Sequence, residues 1–152
     1  MKNNLSAIIT IGILLIAAAA CSDGFTTANI STLEFGKSET AQPAATTFDA
    51  GEKIYAVATV SNTSSKHNLN FKVTCENVAG TTKGEEIANE SIPFEGARPI
   101  WLSFGVASAG EYYIEATLLD ESGKKIDSKS GKITVKGEGA AVTTGEKKDD
   151  GR

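Results

Sequence analysis

A chain of 152 residues with 15 basic and 19 acidic side chains, net charge −4, has no cationic stripe to neutralise phosphates, which excludes nucleic acid as a partner. One histidine and two cysteines are too few for a zinc site of usual ligand spacing, so no metal site and no cofactor is expected. The length suits one domain with tails, long enough to bury a core.

The first segment is an apolar run. Lys2 supplies a positive start, Leu5 to Ala17 a hydrophobic stretch, and Ala18-Ala19-Ala20-Cys21 a row of small residues closing on a thiol. From Leu5 to Ala20 the run is 16 residues long, short of the roughly 20 that a spanning helix needs. It therefore reads as a cleaved signal segment.

Ala18 to Cys21 resembles the lipobox of bacterial lipoproteins. That resemblance implies cleavage just before Cys21, with residues 1–20 as the lipoprotein signal peptide. It also implies a diacylglycerol on the Cys21 sulfur and an acyl group such as palmitate on its new amino group. The alternative is an ordinary secretory signal cut after Ala-x-Ala, which leaves Cys21 a free thiol. Ser22, where an Asp would mark inner-membrane retention in enterobacterial lipoproteins, implies the cell outer membrane, facing periplasm or cell surface. Membrane contact is then through the lipid on Cys21, and residues 21–27 form a lipidated tether.

Seven strands follow in chain order. Ile30 to Phe35 is the first; Ser38 to Thr47 is a polar connection, and Phe48 to Glu52 a turn. Lys53 to Val60 is β-branched and aromatic enough for a central strand. After the polar loop Ser61 to Asn68, the residues from Leu69 to Glu76 alternate strictly, which sends Cys75 inward with Phe71 and Val73 as a buried, inert thiol. A weaker strand around Glu86 to Pro93 carries a proline that marks an edge. Pro99 to Val106, Glu111 to Leu119 and Lys125 to Val135 complete the set, with Asp120 to Gly123 as a hairpin turn and a bulge expected at Gly131. Short strands at this spacing, with no helical period among them, predict an all-β sandwich. Residues 137–152 are small, polar and charged, and read as a disordered tail.

Phe48-Asp49-Ala50-Gly51-Glu52-Lys53-Ile54, leading to Val60-Ser61-Asn62, and Ala109-Gly110-Glu111-Tyr112-Tyr113-Ile114-Glu115-Ala116 are similar to the second and sixth strands of immunoglobulin-like or fibronectin type III-like domains of bacterial envelope proteins. The resemblance implies a single seven-stranded antiparallel immunoglobulin-like sandwich over residues 28–136. It further implies a tyrosine corner at Tyr112, whose hydroxyl bonds backbone across the turn. Ala58 and Ile114 stand where antibody domains carry their inter-sheet cysteines.

Catalytic patterns are accidental. His67 falls in a polar loop and is expected to be exposed; Ser122-Gly123-Lys124-Lys125 matches Ser-x-x-Lys on a turn instead of a helix. Gly36-Lys37-Ser38 ends like a phosphate loop, but Ser31 stands where its first glycine belongs. Glu85, Glu86 and Glu90, and Asp120, Glu121 and Asp127, follow no calcium-loop pattern and read as solvated acidic edges. The chain is expected not to be an enzyme.

Aromatics offer the remaining surface. With Ile54, Ala56, Ala58 and Val60 inward, Tyr55, Val57 and Thr59 face out; with Ile100, Leu102 and Phe104 inward, Trp101 faces out. In the immunoglobulin-like topology these strands are neighbours, so Tyr55, Val57 and Trp101 share an outer face that suits an envelope protein or glycan. The alternative is that the Ser38 to Thr47 connection, or Arg98 stacked on Trp101, covers it. The expected function is a lipid-anchored, non-catalytic envelope binding module; the alternative is an accessory subunit of an outer-membrane complex.

Overall fold

The computed structural model describes residues 27–137. The expected signal peptide (residues 1–20), Cys21 with most of the expected tether, and the polar tail beyond Gly137 lie outside the described residues. Within them the chain is all-β, with eight strands: β1 (Asn29–Gly36), β2 (Thr47–Asp49), β3 (Ile54–Ser61), β4 (Lys66–Val78), β5 (Glu86–Glu95), β6 (Arg98–Phe104), β7 (Gly110–Leu119) and β8 (Lys125–Lys136). They form a three-stranded sheet, β1-β3-β6, and a five-stranded sheet, β2-β8-β7-β4-β5.

The eighth strand corrects the count of seven and the wholly antiparallel expectation. Thr47, Phe48 and Asp49, read from sequence as polar connection and turn, pair in parallel with Thr134, Val135 and Lys136 of β8. The cause is Phe48, which is fully buried and draws its short segment against the core. Three residues carry too little pattern to register as a strand in sequence.

Alternation builds the core. Ile54, Ala56, Ala58 and Val60 of β3 face Leu69, Phe71, Val73 and Cys75 of β4 and Tyr112, Ile114, Ala116 and Leu118 of β7, all buried. Ala58 and Ile114 therefore fill core positions in opposite sheets with apolar volume. Cys75 is buried as its strand parity requires.

Tyr112 holds the turn into β7: its hydroxyl donates to the Ser108 carbonyl at 2.8 Å. Burial, and then the Cys75 thiol opposite it in register, push the phenol above its ordinary value of 10.0. Tyr112→Phe is expected to cost about 1 kcal/mol, the worth of one buried hydrogen bond. Because the folded value is raised, the stability held by the protonated phenol is complete below the unfolded value near 10.0 and is lost as pH rises through the folded one. Urea midpoints on either side of that pH should fall more steeply for wild type than for Tyr112→Phe.

One side of the molecule is closed by β1. The Ile30 N–H donates to an Asp127 carboxylate oxygen at 2.9 Å, and the Phe35 ring lies against Gly131 of β8. A Cβ at Gly131 would sit 2.7 Å from that ring. Gly131 is thus in regular register with Ile114, and the bulge expected there falls instead between Asp127 and Lys125, opposite Leu118 and Leu119. The glycine makes room for a ring; it does not break the ladder. Gly131→Ala should destabilise by about 1–3 kcal/mol through overpacking, read as a lower urea midpoint with unchanged slope.

Candidate binding face

The outer face of the three-stranded sheet follows from register. β3 pairs with β6 so that Val57 lies opposite Trp101, Tyr55 opposite Ser103 and Thr59 opposite Pro99; on the other side Glu34 lies opposite Val57 and Gly36 opposite Tyr55. The same alternation that buries Ile54 to Val60 sends Tyr55, Val57 and Trp101 to the far side of the sheet. The structure brings these three together.

Tyr55 and Trp101 meet edge to face, ring centroids 5.5 Å apart at 65°, a geometry in which a positive ring edge meets a negative ring face. Val57 is 4% exposed yet lies outside the central core cluster. It is the floor of the patch. Trp101 stays 40% exposed, so a large aromatic surface faces water above a buried aliphatic base. Lys53 places its ammonium 5.6 Å from the Tyr55 ring centroid, a cation–π contact. Sequence reasoning missed Lys53, although it stands two residues before Tyr55 and so shares its side of the strand.

The two possible covers have different outcomes. Arg98 lies opposite Val60, a core residue, two positions from the buried Ile100, so it starts β6 on the inner-facing parity and not on the Trp101 side. The Ser38 to Thr47 connection does fold over the face, but at its β1 end. Ala41 is fully buried and its Cα would lie 2.6 Å from a Cβ at Gly36. Only a glycine permits that approach beside Tyr55. Below it, Glu52 takes the Asp49 N–H and the Lys37 ammonium at 2.9 Å and 2.6 Å. That N–H first, and then Lys37, hold its carboxyl below the usual range. Trp101, two strands away from Gly36, remains open.

His67 corrects its sequence reading. It is 7% exposed, because β4 begins at Lys66 and carries the inward parity of Leu69 and Phe71 two residues further than the polar sequence suggests. Its ring lies 5.9 Å from that of Phe94, and Nδ1 sits 3.1 Å from the Ser65 carbonyl and 3.2 Å from the Thr63 hydroxyl. Beside it opens a shallow cleft of about 530 Å³ lined by Lys66, Asn68, Pro93, Glu95 and Glu121 as well. One acidic residue of the hairpin closes its own turn. Asp120 accepts from the Ser122 hydroxyl and from the Ser122 and Lys124 N–H groups, which holds its carboxyl below the usual range.

No family model matches the chain, and no curated protein matches it. Among solved structures it is similar to the soluble domain of PmoD from a Methylocystis species, at 12% identity over 68% of this chain and 89% of that one, with a TM-score of 0.46. It is similar to a Niemann-Pick type C2 protein from the Japanese carpenter ant, at 11% identity over 75% and 96%, with a TM-score of 0.47. A family 76 glycoside hydrolase from a bovine Bacteroides thetaiotaomicron strain is also similar, at 13% identity over 69% of this chain, with a TM-score of 0.44. This chain spans only 20% of that hydrolase.

Proposed function

We propose that this chain is a lipid-anchored interaction module of the bacterial cell envelope, held to the outer membrane through Cys21 and acting by binding, not catalysis. Its domain is read as immunoglobulin-like. Two features support that reading: the division of β1, β3 and β6 from β8, β7, β4 and β5, and the Tyr112 bond to the Ser108 carbonyl. The lipobox-like Ala18 to Cys21 supports the anchor.

The observation that carries the functional reading is the exposed Trp101, braced edge-on by Tyr55 above the buried Val57. Aromatic side chains supply large contact area with few rotamers to freeze, and exposed ones beside a desolvated floor are the usual anchors of interfaces. An envelope protein or a glycan presenting an apolar surface fits this face. Pull-down from detergent-solubilised envelopes, with the full lipidated chain as bait, tests it. A partner held by wild type and lost by Tyr55→Ala carries the reading; equal recovery on both baits overturns it.

A further inference from the structure

β4 outruns one of its neighbours. Its pairing with β7 ends at Asn68 opposite Leu119, whereas its pairing with β5 continues to His67 opposite Phe94 and Lys66 opposite Glu95. At Asp120 the chain leaves β7 for a turn, which that carboxylate closes on the Ser122 and Lys124 N–H groups. His67 therefore has a paired strand on one side only. Next to it lies the cleft of about 530 Å³, with Glu121, from the same turn, on its wall. Clefts that hold small molecules span ~300–1,000 Å³, so this one has room for a ligand.

The imidazole presents an uncommitted acceptor there. A carbonyl oxygen can only accept, so the 3.1 Å contact of Nδ1 with the Ser65 carbonyl places the ring proton on Nδ1. The lone pair of the neutral ring is then on Nε2, which has no hydrogen-bond partner among the described residues. Nor is Nε2 sealed in, since no buried side-chain nitrogen or oxygen among those residues lacks a partner. The ring, only 7% exposed, opens to the cleft that it lines. Two carboxylates join it. Lys66 stands opposite Glu95 in the ladder, but among the described residues no ion pair joins it to Glu95 or Glu121. The wall thus carries more negative than positive charge, in a chain of net −4. Pro93 and Phe94 make the rest of it apolar.

We propose that this cleft binds a primary alkylammonium, whose N–H groups donate to His67 Nε2 and to the carboxylates of Glu95 and Glu121 while its methylene stem lies on Pro93 and Phe94. An ammonium has three donors and no acceptor. It therefore matches a site in which Nε2 and both carboxylates only accept, and it gains from the surplus negative charge. A neutral polyol fits less well, because each hydroxyl brings lone pairs along with its proton and draws nothing from that charge. The site shares no residue with Tyr55, Val57 and Trp101, so the inference stands apart from the outer-face reading.

His67 is the only histidine of the chain, so the imidazole nitrogens of the isotope-labelled full chain in mild detergent give unambiguous resonances. Titration with putrescine at about pH 8, where primary amines stay charged, tests the site, with butanediol as the uncharged control of the same length. Putrescine should shift Nε2 and the Phe94, Glu95 and Glu121 amides saturably, and butanediol should not. The Glu95→Gln, Glu121→Gln double variant should bind about fivefold more weakly, the loss expected of two exposed charge pairs. His67→Asn keeps an amide nitrogen near the Nδ1 position for the Ser65 carbonyl and has nothing at Nε2, so it should bind about tenfold more weakly. Equal shifts with butanediol, no saturable shift, or shifts spread over acids of other faces such as Glu34 and Glu90 overturn the proposal. So does undiminished binding in the double variant, or in a His67→Asn chain whose circular dichroism matches wild type. If His67→Asn does not fold, the double variant decides, because both glutamates are exposed. Loss of the envelope partner by Tyr55→Ala with putrescine binding intact separates the two readings.

Discussion

Trp101→Ala is expected to weaken capture of the envelope partner by about 2 kcal/mol or more, roughly thirtyfold, as truncation of an interface anchor does. Domain stability should change less. The indole is 40% exposed, so its removal empties no enclosed core cavity; what is lost is its partial burial, its edge contact with Tyr55 and its cover over Val57, about 1–2 kcal/mol together. A buried tryptophan behaves oppositely, with about 3–5 kcal/mol of stability lost on truncation. Isothermal titration with the recovered partner and urea unfolding of the same variant separate the cases. Intact binding beside a large loss of stability would remove Trp101 from the interface.

Cys21→Ala is expected to abolish membrane retention altogether. Three acyl chains at about 0.8 kcal/mol per buried CH2 make anchoring effectively permanent, and one missing sulfur removes the point where two of them attach. Nearly all of the chain should then shift from the membrane fraction to the soluble one, or persist with residues 1–20 uncleaved. Intact mass of the mature wild-type chain is the direct check. An unmodified thiol at Cys21 sinks the lipid-anchor reading without touching the binding face.

Strand parity was the most legible part of the sequence. The period of two in Leu69 to Glu76 places Cys75 in the core, and the same rule sets Tyr55, Val57 and Trp101 on one side of the sheet. What the sequence hid were effects acting at a distance. His67 sits among polar neighbours, and its burial follows from the extension of β4 against Phe94. Gly131 reads locally as a bulge, while its role is set by Phe35, almost a hundred residues earlier. The short β2 exists only because Phe48 finds the core.

The position of β1 has a mechanical consequence. It is the first strand after residue 27, and it runs antiparallel to β3, which runs antiparallel to β6. Tension entering at Asn29 and resisted at Trp101 crosses two ladders lying along the direction of pull. Their hydrogen bonds then stretch side by side instead of parting one after another. The Ile30 N–H on Asp127 adds a brace from the other sheet at the point of entry. A domain loaded in this way yields in shear, so if the proposed anchor and the proposed partner pull on it from these two points, their link is strongest along the strands and weakest when peeled across them.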